Sequence, residues 1–176
     1  MGAGPGARDL LTLRAVQRLQ EADVILYDRL VDTKVLELAR RDAQQIFVGK
    51  HVGAHSWPQD KINQMIVAEV RKGLRVVRLK FGDPRIFGRA GEEISAARKV
   101  GITIEIIPGV TAASAAGASL TRSLTERSVA NTLVLASGAG YTDDPTPDST
   151  RHSSPGTTTA LYISVAGAER LSHKWM

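Results

Sequence analysis

The sequence predicts an α/β fold built on a parallel sheet. Helical and strand-like segments alternate along the 176 residues, the order expected when helices connect parallel strands. Several strand-like runs are short and continuously apolar, as in strands buried on both faces. A Gly-Asp-Pro turn, residues 82–84, separates one strand-like run from a helical run. Such turns lie at the carboxyl edge of open α/β sheets, where small ligands bind.

The first 108 residues contain most of these elements. Helices are predicted where apolar residues recur on one face, and strands where an apolar run is too short for a helix. Pro58 suits the first turn of a helix and Gly73 its C-terminal stop. In order, the predicted elements are helix 9–22, strand 24–27, helix 33–41, strand 45–48, a helix between Pro58 and Gly73, strand 75–79, helix 92–99 and strand 102–107.

A partial second lobe is predicted over 109–176, after an N-terminal lobe over 1–108. A helix rich in small residues is expected at 111–118 and strands at 132–136 and 160–163. Between these strands, residues 137–159 are crowded with Gly, Ser, Thr, Pro and Asp, which favours a flexible connection. Both ends look cut, because no strand precedes the glycine turn at residue 2 and the second lobe is short. The second lobe is therefore expected to be incomplete.

Composition narrows the classes of partner. The net charge of +5 fits a polyanionic ligand or simply an Arg-rich solvated surface, and both remain open. Aromatic residues make up 5% of the chain and are not interleaved with basic ones, so no nucleic-acid partner is expected. No apolar run approaches the roughly 18 residues of a membrane span, and no leader opens the chain. A cytoplasmic protein without membrane contact is expected.

Metal chemistry is not expected. The chain has no cysteine, which excludes thiolate sites. His51 and His55 are four residues apart, but no third ligand is evident nearby. We therefore predict no metal.

Two charged residues at strand ends are candidates for acid–base chemistry. Asp28 follows a predicted strand and could act as a general base, although a surface carboxylate paired with Arg29 is the commoner role for that position. Lys50 could be an acid or an anion anchor, or an ordinary solvated lysine. Position alone favours the surface role for both residues.

The N-terminal glycine turn allows a nicotinamide-binding alternative. Gly2, Gly4 and Ala7 fit the dinucleotide pattern G-x-G-x-x-G/A, with Asp28 roughly 20 residues downstream. Against this, no strand precedes the turn, and Pro5 removes one N–H group that could bind a phosphate. An oxidoreductase remains the minor alternative.

Read together, these segments resemble the tetrapyrrole methylase superfamily and, within it, the uroporphyrinogen-III C-methyltransferases. Tyr-Asp-Arg-Leu, Val-Gly-Lys and Gly-Asp-Pro at family spacing are the specific part of the pattern. The resemblance covers nearly everything to about residue 136 and, weakly, 158–171. The matching stretches are 2–6, 9–13, 22–24, 27–31, 48–50, 58–59, 62–63, 76–80, 82–84, 87–89, 91–93 and 108–113.

The resemblance implies a fold and a reaction. The fold would be tetrapyrrole methylase-like (class III methyltransferase), with two α/β lobes and the cofactor in the cleft between them. The reaction would be transfer of methyl groups from S-adenosyl-L-methionine to uroporphyrinogen III, giving precorrin-2 for sirohaem and cobalamin biosynthesis. Members of the family are usually homodimers, so a homodimer is expected of a complete chain.

The same resemblance assigns residues. Asp28 would be the proton acceptor and Lys50 the proton donor, while Arg29 and Arg89, with Lys50, would anchor carboxylates of the substrate. The residues that would contact the cofactor are Pro5, Phe81, Gly82, Asp83, Ile86, Thr111, Ala112 and Ile163.

Two of these positions depart from the family pattern. Phe81 stands where the family has a glycine, and Ile163 stands where it has a methionine that contacts the cofactor. A degenerate, non-catalytic member of the family, able to bind a tetrapyrrole or a partner without turnover, is therefore the main alternative to an enzyme.

Overall fold

The computed structural model describes residues 1–49, 57–138 and 154–163. The chain divides into two compact units, Met1–Ala112 and Ala113–Met176. The predicted lobe boundary, between residues 108 and 109, falls just before this division. Among the residues described, no helix has both the length and the apolar character needed to cross a bilayer.

A three-stranded parallel sheet forms the centre of the first unit. Its strands are β1 (Val24–Tyr27), β2 (Gln44–Phe47) and β3 (Val76–Leu79), in the order β2-β1-β3. Val24 pairs with Gln44 on one side and with Val76 on the other, so all strands run in one direction. The predicted α/β class with a parallel sheet is confirmed.

Helices pack on both faces of this sheet. They are α1 (Leu13–Glu21), α2 (Thr33–Leu36), α3 (Gln59–Arg71) and α4 (Ala90–Lys99), preceded by a 3₁₀ turn at Arg8–Leu10. Ile25 of β1 joins a core cluster with Leu19 and Val35, while its neighbours Val24 and Leu26 join a second cluster with Ile62. Because side chains alternate along a strand, β1 is buried on both faces.

Two helices are shorter than predicted. The first prediction, helix 9–22, becomes the 3₁₀ turn followed by α1, because the Thr12 hydroxyl accepts a hydrogen bond from Ala15 N at 3.2 Å and so caps the helix there. The prediction of a helix over 33–41 is wrong beyond Leu36, because α2 ends there. The helix predicted between Pro58 and Gly73 is confirmed as α3, and Gly73 follows it with φ +83°.

The segment 102–107 is not part of a strand ladder. Its predicted strand is wrong, since its backbone hydrogen bonds to the described residues join no strand: Ile102 N donates to Ala97 O at 3.0 Å, and the Ile107 carbonyl accepts from Gly2 N at 2.9 Å. The β-branched run has the composition of a strand, but its neighbours include the N-terminal turn and the α1 residue Arg18, which pairs with Glu105 at 2.7 Å. Residues 103–106 are exposed.

The second unit carries a two-stranded parallel sheet. Its strands are β4 (Thr132–Ser137) and β5 (Thr157–Tyr162), paired from Thr132 with Thr157 to Ser137 with Tyr162. The helix predicted at 111–118 is α5 (Ala112–Ser119), which begins with the last residue of the first unit. Because β4 ends at Ser137 and β5 begins at Thr157, the connection is shorter than the predicted 137–159; within it, residues 139–153 lie outside the described residues.

Candidate functional site

Three backbone segments of the first unit meet at the carboxyl end of β3. Gly82 N donates to Gly4 O at 2.7 Å, and Ala3 N donates to Lys80 O at 2.7 Å. A Cβ on Gly2 would lie 2.5 Å from Gly82 O and 2.7 Å from the backbone of Gly109. The N-terminal turn is therefore held by pairing with the residues after β3, although the sequence shows no strand before it.

Gly82 borders a space that a larger residue would fill. Its φ of +66° lies in the left-handed region that favours glycine. A Cβ there would lie 3.9 Å from Ala112 N and 4.0 Å from Thr111 Cα. Pro5 directly follows Gly4, the hydrogen-bond partner of Gly82. The structure thus brings four of the predicted cofactor residues to one place: Pro5, Gly82, Thr111 and Ala112.

The turn that follows is held together by Asp83. One of its carboxylate oxygens, Oδ1, accepts from Arg85 N at 2.8 Å, and Oδ2 accepts from Gly109 N at 3.3 Å. The side chain is 6% exposed. Asp83 therefore fixes the loop and ties it to Gly109, while Ile86 continues the turn by donating its backbone N–H to Asp83 O at 3.1 Å.

Phe81 fits the backbone without strain. It is not among the residues with a positive φ, and the left-handed conformation falls on Gly82, the next residue. Its side chain is partly exposed. The backbone conformation at position 81 therefore does not require the glycine that the family pattern carries there.

Asp28 sits at the carboxyl end of β1 and is held by two cations from β3 and the residue after it. Arg78 Nη2 donates to Asp28 Oδ1 at 2.5 Å, and Lys80 Nζ lies 3.8 Å from Oδ2. The carboxylate remains 33% exposed. The expected surface pair with Arg29 is wrong, because Arg78 is the partner that the sheet places beside Asp28.

Glu93 of α4 is the buried centre of this group. Its Oε1 accepts from Arg78 Nε and Lys80 Nζ, each at 3.0 Å, and from Gln59 Nε2 at 3.3 Å. The side chains of Arg78, Lys80 and Glu93 are only 11%, 7% and 8% exposed. Buried charges of this kind require partners, and each of these has one.

Sequence reasoning missed Arg78, Lys80 and Glu93 as members of the site. A signal was present: Arg78 interrupts an apolar parallel strand, where a charge is seldom buried without a partner. The sequence did not indicate which residues would be the partners, since Asp28 precedes Arg78 by 50 residues and Glu93 follows it by 15.

The two predicted substrate anchors differ in their surroundings. Arg29 is exposed and, within the described part of the chain, has no ion-pair partner. Arg89, which precedes α4, donates to both oxygens of Glu92 at 2.8 Å. The hydrogen bond to Glu92 raises the pKa of Arg89, and the same bond lowers the pKa of Glu92. Arg89 is thus oriented by its own helix while 63% of its side chain stays exposed.

Two further predicted residues, Lys50 and Ile163, are not among those described in the first unit. Lys50 falls outside the described residues, as do His51 and His55, so the prediction of no metal is not tested there. Ile163 follows β5 in the second unit and is 65% exposed, with φ +55°. The roles assigned to both residues stay predictions.

The glycine turn does not have the geometry of a dinucleotide site. In that motif a helix opens directly after the glycines, and its N-terminus receives the pyrophosphate. Here Ala7 leads into a three-residue 3₁₀ turn, and α1 begins only at Leu13 with Thr12 as its cap. Asp28, which would bind the ribose, is engaged by Arg78. These observations disfavour the nicotinamide alternative.

Two cavities differ in their relation to this site, and one of about 210 Å³ is lined in part by Arg78, Lys80 and Glu93. A groove of about 820 Å³ runs between α3 and α4, and its lining residues include Asn63, Arg71 and Lys99. None of the predicted catalytic or cofactor residues lines it. The candidate site is defined instead by backbone convergence and by the buried charges.

This chain is similar in sequence to a known protein family and to several curated relatives. The family model for Tetrapyrrole (Corrin/Porphyrin) Methylases matches residues 1–173. A siroheme synthase from Tolumonas auensis is 44% identical over 174 residues, covering 99% of this chain and 37% of that protein. One from Edwardsiella ictaluri is 53% identical over 138 residues, covering 78% and 30%. The chain thus spans about a third of the length of these curated relatives.

Solved structures of methyltransferases also match this chain. Uroporphyrin-III C-methyl transferase from Thermus thermophilus, complexed with S-adenosylhomocysteine, superposes with a TM-score of 0.81 at 35% identity, over 99% of this chain and 68% of that one. A cobalt precorrin-4 methyltransferase superposes with a TM-score of 0.83 at 28% identity, over 99% and 72%.

Proposed function

Because the chain belongs to the tetrapyrrole (corrin/porphyrin) methylase family, we propose that it methylates uroporphyrinogen III with S-adenosylmethionine, giving precorrin-2. The observation that carries the proposal is a partly exposed carboxylate, Asp28, at the sheet edge that also carries the space beside Gly82. A relative at 35% identity is described as complexed with S-adenosylhomocysteine, which supports this choice of cofactor.

The residues around Gly82 suit such a cofactor. The absence of a Cβ leaves room between Gly82 and the backbone of Thr111 and Ala112. Backbone groups of these segments can bind the polar parts of an adenosyl amino acid, and partly exposed Pro5 and Ile86 supply apolar contact. Asp83 contributes by fixing the loop, since its oxygens accept from Arg85 N and Gly109 N. Phe81 and Ile163 complete the proposed cofactor set.

When bound, the cofactor supplies a sulfonium methyl group, which an electron-rich pyrrole carbon takes as the neutral thioether departs. Much of the rate would come from holding these two groups in line. Asp28 then accepts the proton that leaves the substituted ring. Its Oδ2 is the oxygen available for this, because Oδ1 already receives Arg78 Nη2 at 2.5 Å, whereas Lys80 Nζ is 3.8 Å from Oδ2.

The substrate is bound through its carboxylates. Arg29 is exposed beside Asp28, and Arg89 presents an exposed guanidinium, so both can pair with carboxylates at the rim of the site. Lys50 is proposed as the proton donor. A homodimer, a cytoplasmic location, and a place in sirohaem or cobalamin biosynthesis belong to the same proposal.

The cofactor site can be tested with two glycine variants. Gly82→Ala adds a methyl group beside Thr111 and Ala112, whereas Gly101→Ala adds one where nothing lies within 4 Å. Both glycines have positive φ, +66° and +73°, so both variants carry a similar backbone strain of about 1 kcal/mol. Calorimetric titration with S-adenosylhomocysteine should show micromolar binding by the wild type and by G101A, and at least a ten-fold loss for G82A, about 1.4 kcal/mol.

Equal affinities in the two variants would place the cofactor elsewhere. If the folded wild-type protein does not bind S-adenosylhomocysteine, the proposal that this chain is catalytic is wrong. That result would favour a non-catalytic member of the family. The substrate would be identified if the wild type transfers labelled methyl groups to uroporphyrinogen III and the Asp28→Asn variant does not. Titration of the same sample with NAD tests the nicotinamide alternative.

A further inference from the structure

We propose that Glu93 is a positioning residue: its buried carboxylate holds Arg78 and Lys80 so that they fix the orientation of Asp28. This inference rests on the proposed function, in which Asp28 accepts a proton. Glu93 itself does not reach Asp28 and acts through the two cations between them.

The contacts form a chain from α4 to the site. Glu93 Oε1 receives Arg78 Nε at 3.0 Å, and the other end of the same guanidinium, Nη2, reaches Asp28 Oδ1 at 2.5 Å. Nη1 donates to the carbonyls of Leu26 and Leu79 at 3.4 and 3.1 Å. Because the guanidinium is planar and rigid, fixing Nε and Nη1 also fixes the direction in which Nη2 points.

Lys80 forms a second, parallel connection. Its Nζ lies 3.0 Å from Glu93 Oε1 and 3.8 Å from Asp28 Oδ2. Asp28 is thus approached on one oxygen by Arg78 and on the other by Lys80. With Glu93 in place, both cations are held on the same side of Asp28, which leaves its carboxylate a single preferred orientation.

Burial separates the supporting residues from the working one. Glu93, Lys80 and Arg78 are 8%, 7% and 11% exposed, whereas Asp28 is 33% exposed. Asp28 is therefore the most accessible of the four charged side chains. Loss of Glu93 would leave Arg78 and Lys80 with Asp28 as the carboxylate that they still share.

Gln59 adds a third donor to Glu93. Its Nε2 lies 3.3 Å from Glu93 Oε1 and 3.1 Å from Asn63 Oδ1, so α3 also braces the carboxylate of α4. Glu93 therefore joins α3, α4 and the end of β3 at one oxygen atom. Through Arg78 and Lys80, that connection ends at the proposed base, Asp28.

The test compares Glu93→Gln and Glu93→Asp with a matched control in the full chain. Glu69→Gln neutralises a carboxylate on the neighbouring helix α3 that pairs with Lys72 at 2.7 Å, outside the site. E93Q removes the charge with little change of shape, and E93D keeps the charge but withdraws it from Arg78. Thermal melts establish which variants are folded, and E93D serves as the second variant if E93Q is not.

The first measurement needs no catalysis. Hydrogen exchange of the Arg78 guanidinium protons, assigned with Asp28→Asn, is recorded by NMR. We expect slow exchange in the wild type and E69Q and clearly faster exchange at Nη2 in E93Q and E93D, although neither variant alters Asp28. Unchanged exchange at Nη2 would overturn the proposal, whether or not the protein is a methyltransferase.

The second measurement separates positioning from binding. In the wild type and E69Q, methyl transfer and affinity for S-adenosylhomocysteine should be the same. In E93Q, kcat should fall about 100-fold with cofactor affinity unchanged, and E93D should recover part of it. Faster exchange with normal kcat would make Glu93 merely structural and so overturn its positioning role. An inactive wild type would refute the proposed function instead, leaving the exchange measurement to decide how Glu93 acts on Asp28.

Discussion

At the scale of single residues, backbone strain is concentrated in a few places outside the regular elements. Non-glycine residues with φ near +50° include Phe87 and Arg89, on either side of Gly88 before α4, and Ile163 after β5. A β-branched residue in this region is an outlier, because its Cβ crowds the following carbonyl. Ile163 is also 65% exposed, so little burial offsets the strain.

We expect Ile163→Asn to stabilise the protein by about 1 kcal/mol, since Asn adopts the left-handed conformation at lower cost. Chemical unfolding followed by circular dichroism measures the change. Val129→Asn is the control: Val129 is similarly exposed, at 63%, but has no positive φ, so no gain is expected there. An equal gain in both variants would mean that removing exposed apolar surface, and not relief of strain, is responsible.

At the scale of elements, one aspartate joins the amino ends of the strands in the main sheet. Asp23, which precedes β1, accepts from Arg75 N at 2.7 Å and from Arg40 Nη2 at 2.8 Å through its side chain. Its backbone carbonyl accepts from Gln44 N at 2.8 Å, at the start of β2. The hydrogen bond from Arg75 N, followed by that from Arg40, lowers the pKa of Asp23.

This pKa gives the stability a defined pH dependence. A carboxyl group whose pKa is lower in the folded state stabilises the fold above its unfolded pKa, about 3.9 for Asp, and loses that contribution as pH falls through the folded value. Wild type should therefore be more stable than Asp23→Asn by a constant amount at neutral pH, and the difference should shrink below about pH 4. Urea unfolding across that range measures it.

Asp42→Asn is the control for this prediction. Asp42 pairs with the same Arg40, through Nε at 3.0 Å, but its side chain is 76% exposed. Exposed pairs contribute little, so the urea midpoint should barely change at any pH. A difference between wild type and D23N that persists unchanged at acid pH would show that the charge of Asp23 is not the stabilising feature.

At the scale of the whole molecule, the net charge of +5 is the property most relevant to the proposed substrate. A basic protein attracts a polycarboxylate over long distances. Salt weakens this attraction, because charges separated by more than the Debye length, about 10 Å at 0.1 M, are largely screened from each other. S-adenosylhomocysteine carries an amino and a carboxyl group that offset each other. The two ligands should therefore respond differently to ionic strength.

We expect affinity for uroporphyrinogen III to fall several-fold as salt is raised from low to high concentration, while affinity for S-adenosylhomocysteine stays nearly constant. Anaerobic fluorescence titration and calorimetry measure the two affinities on one preparation. Parallel weakening of both ligands would indicate a general effect of salt on the fold. No salt dependence in either would leave the basic surface without a role in substrate binding.

Much of the first unit follows from local sequence. The apolar run 24–27 becomes the central strand because β-branched and aliphatic residues fill both faces of a parallel sheet, and Gly73 ends α3 because it accepts a positive φ. The sequence also showed the Gly-Asp-Pro turn and, with it, the resemblance to the family. The match of the family model over residues 1–173 confirms that family. These features depend on neighbours a few positions away.

What only the tertiary structure decided is which distant groups meet. From position, Asp28 was expected to pair with adjacent Arg29, but the parallel register of β1 and β3 places Arg78 opposite Leu26, from where its guanidinium reaches Asp28, 50 residues away in sequence. Asp83 stays a predicted cofactor contact, and the structure adds that its carboxylate holds its own turn and Gly109. Residues 102–107 have the composition of a strand but lack a neighbouring ladder. Local composition determines the elements, because propensity and periodicity act over a few residues. The buried charges behind Asp28 were settled by packing, since a charge taken out of water needs a partner that only the assembled sheet and helices bring within reach.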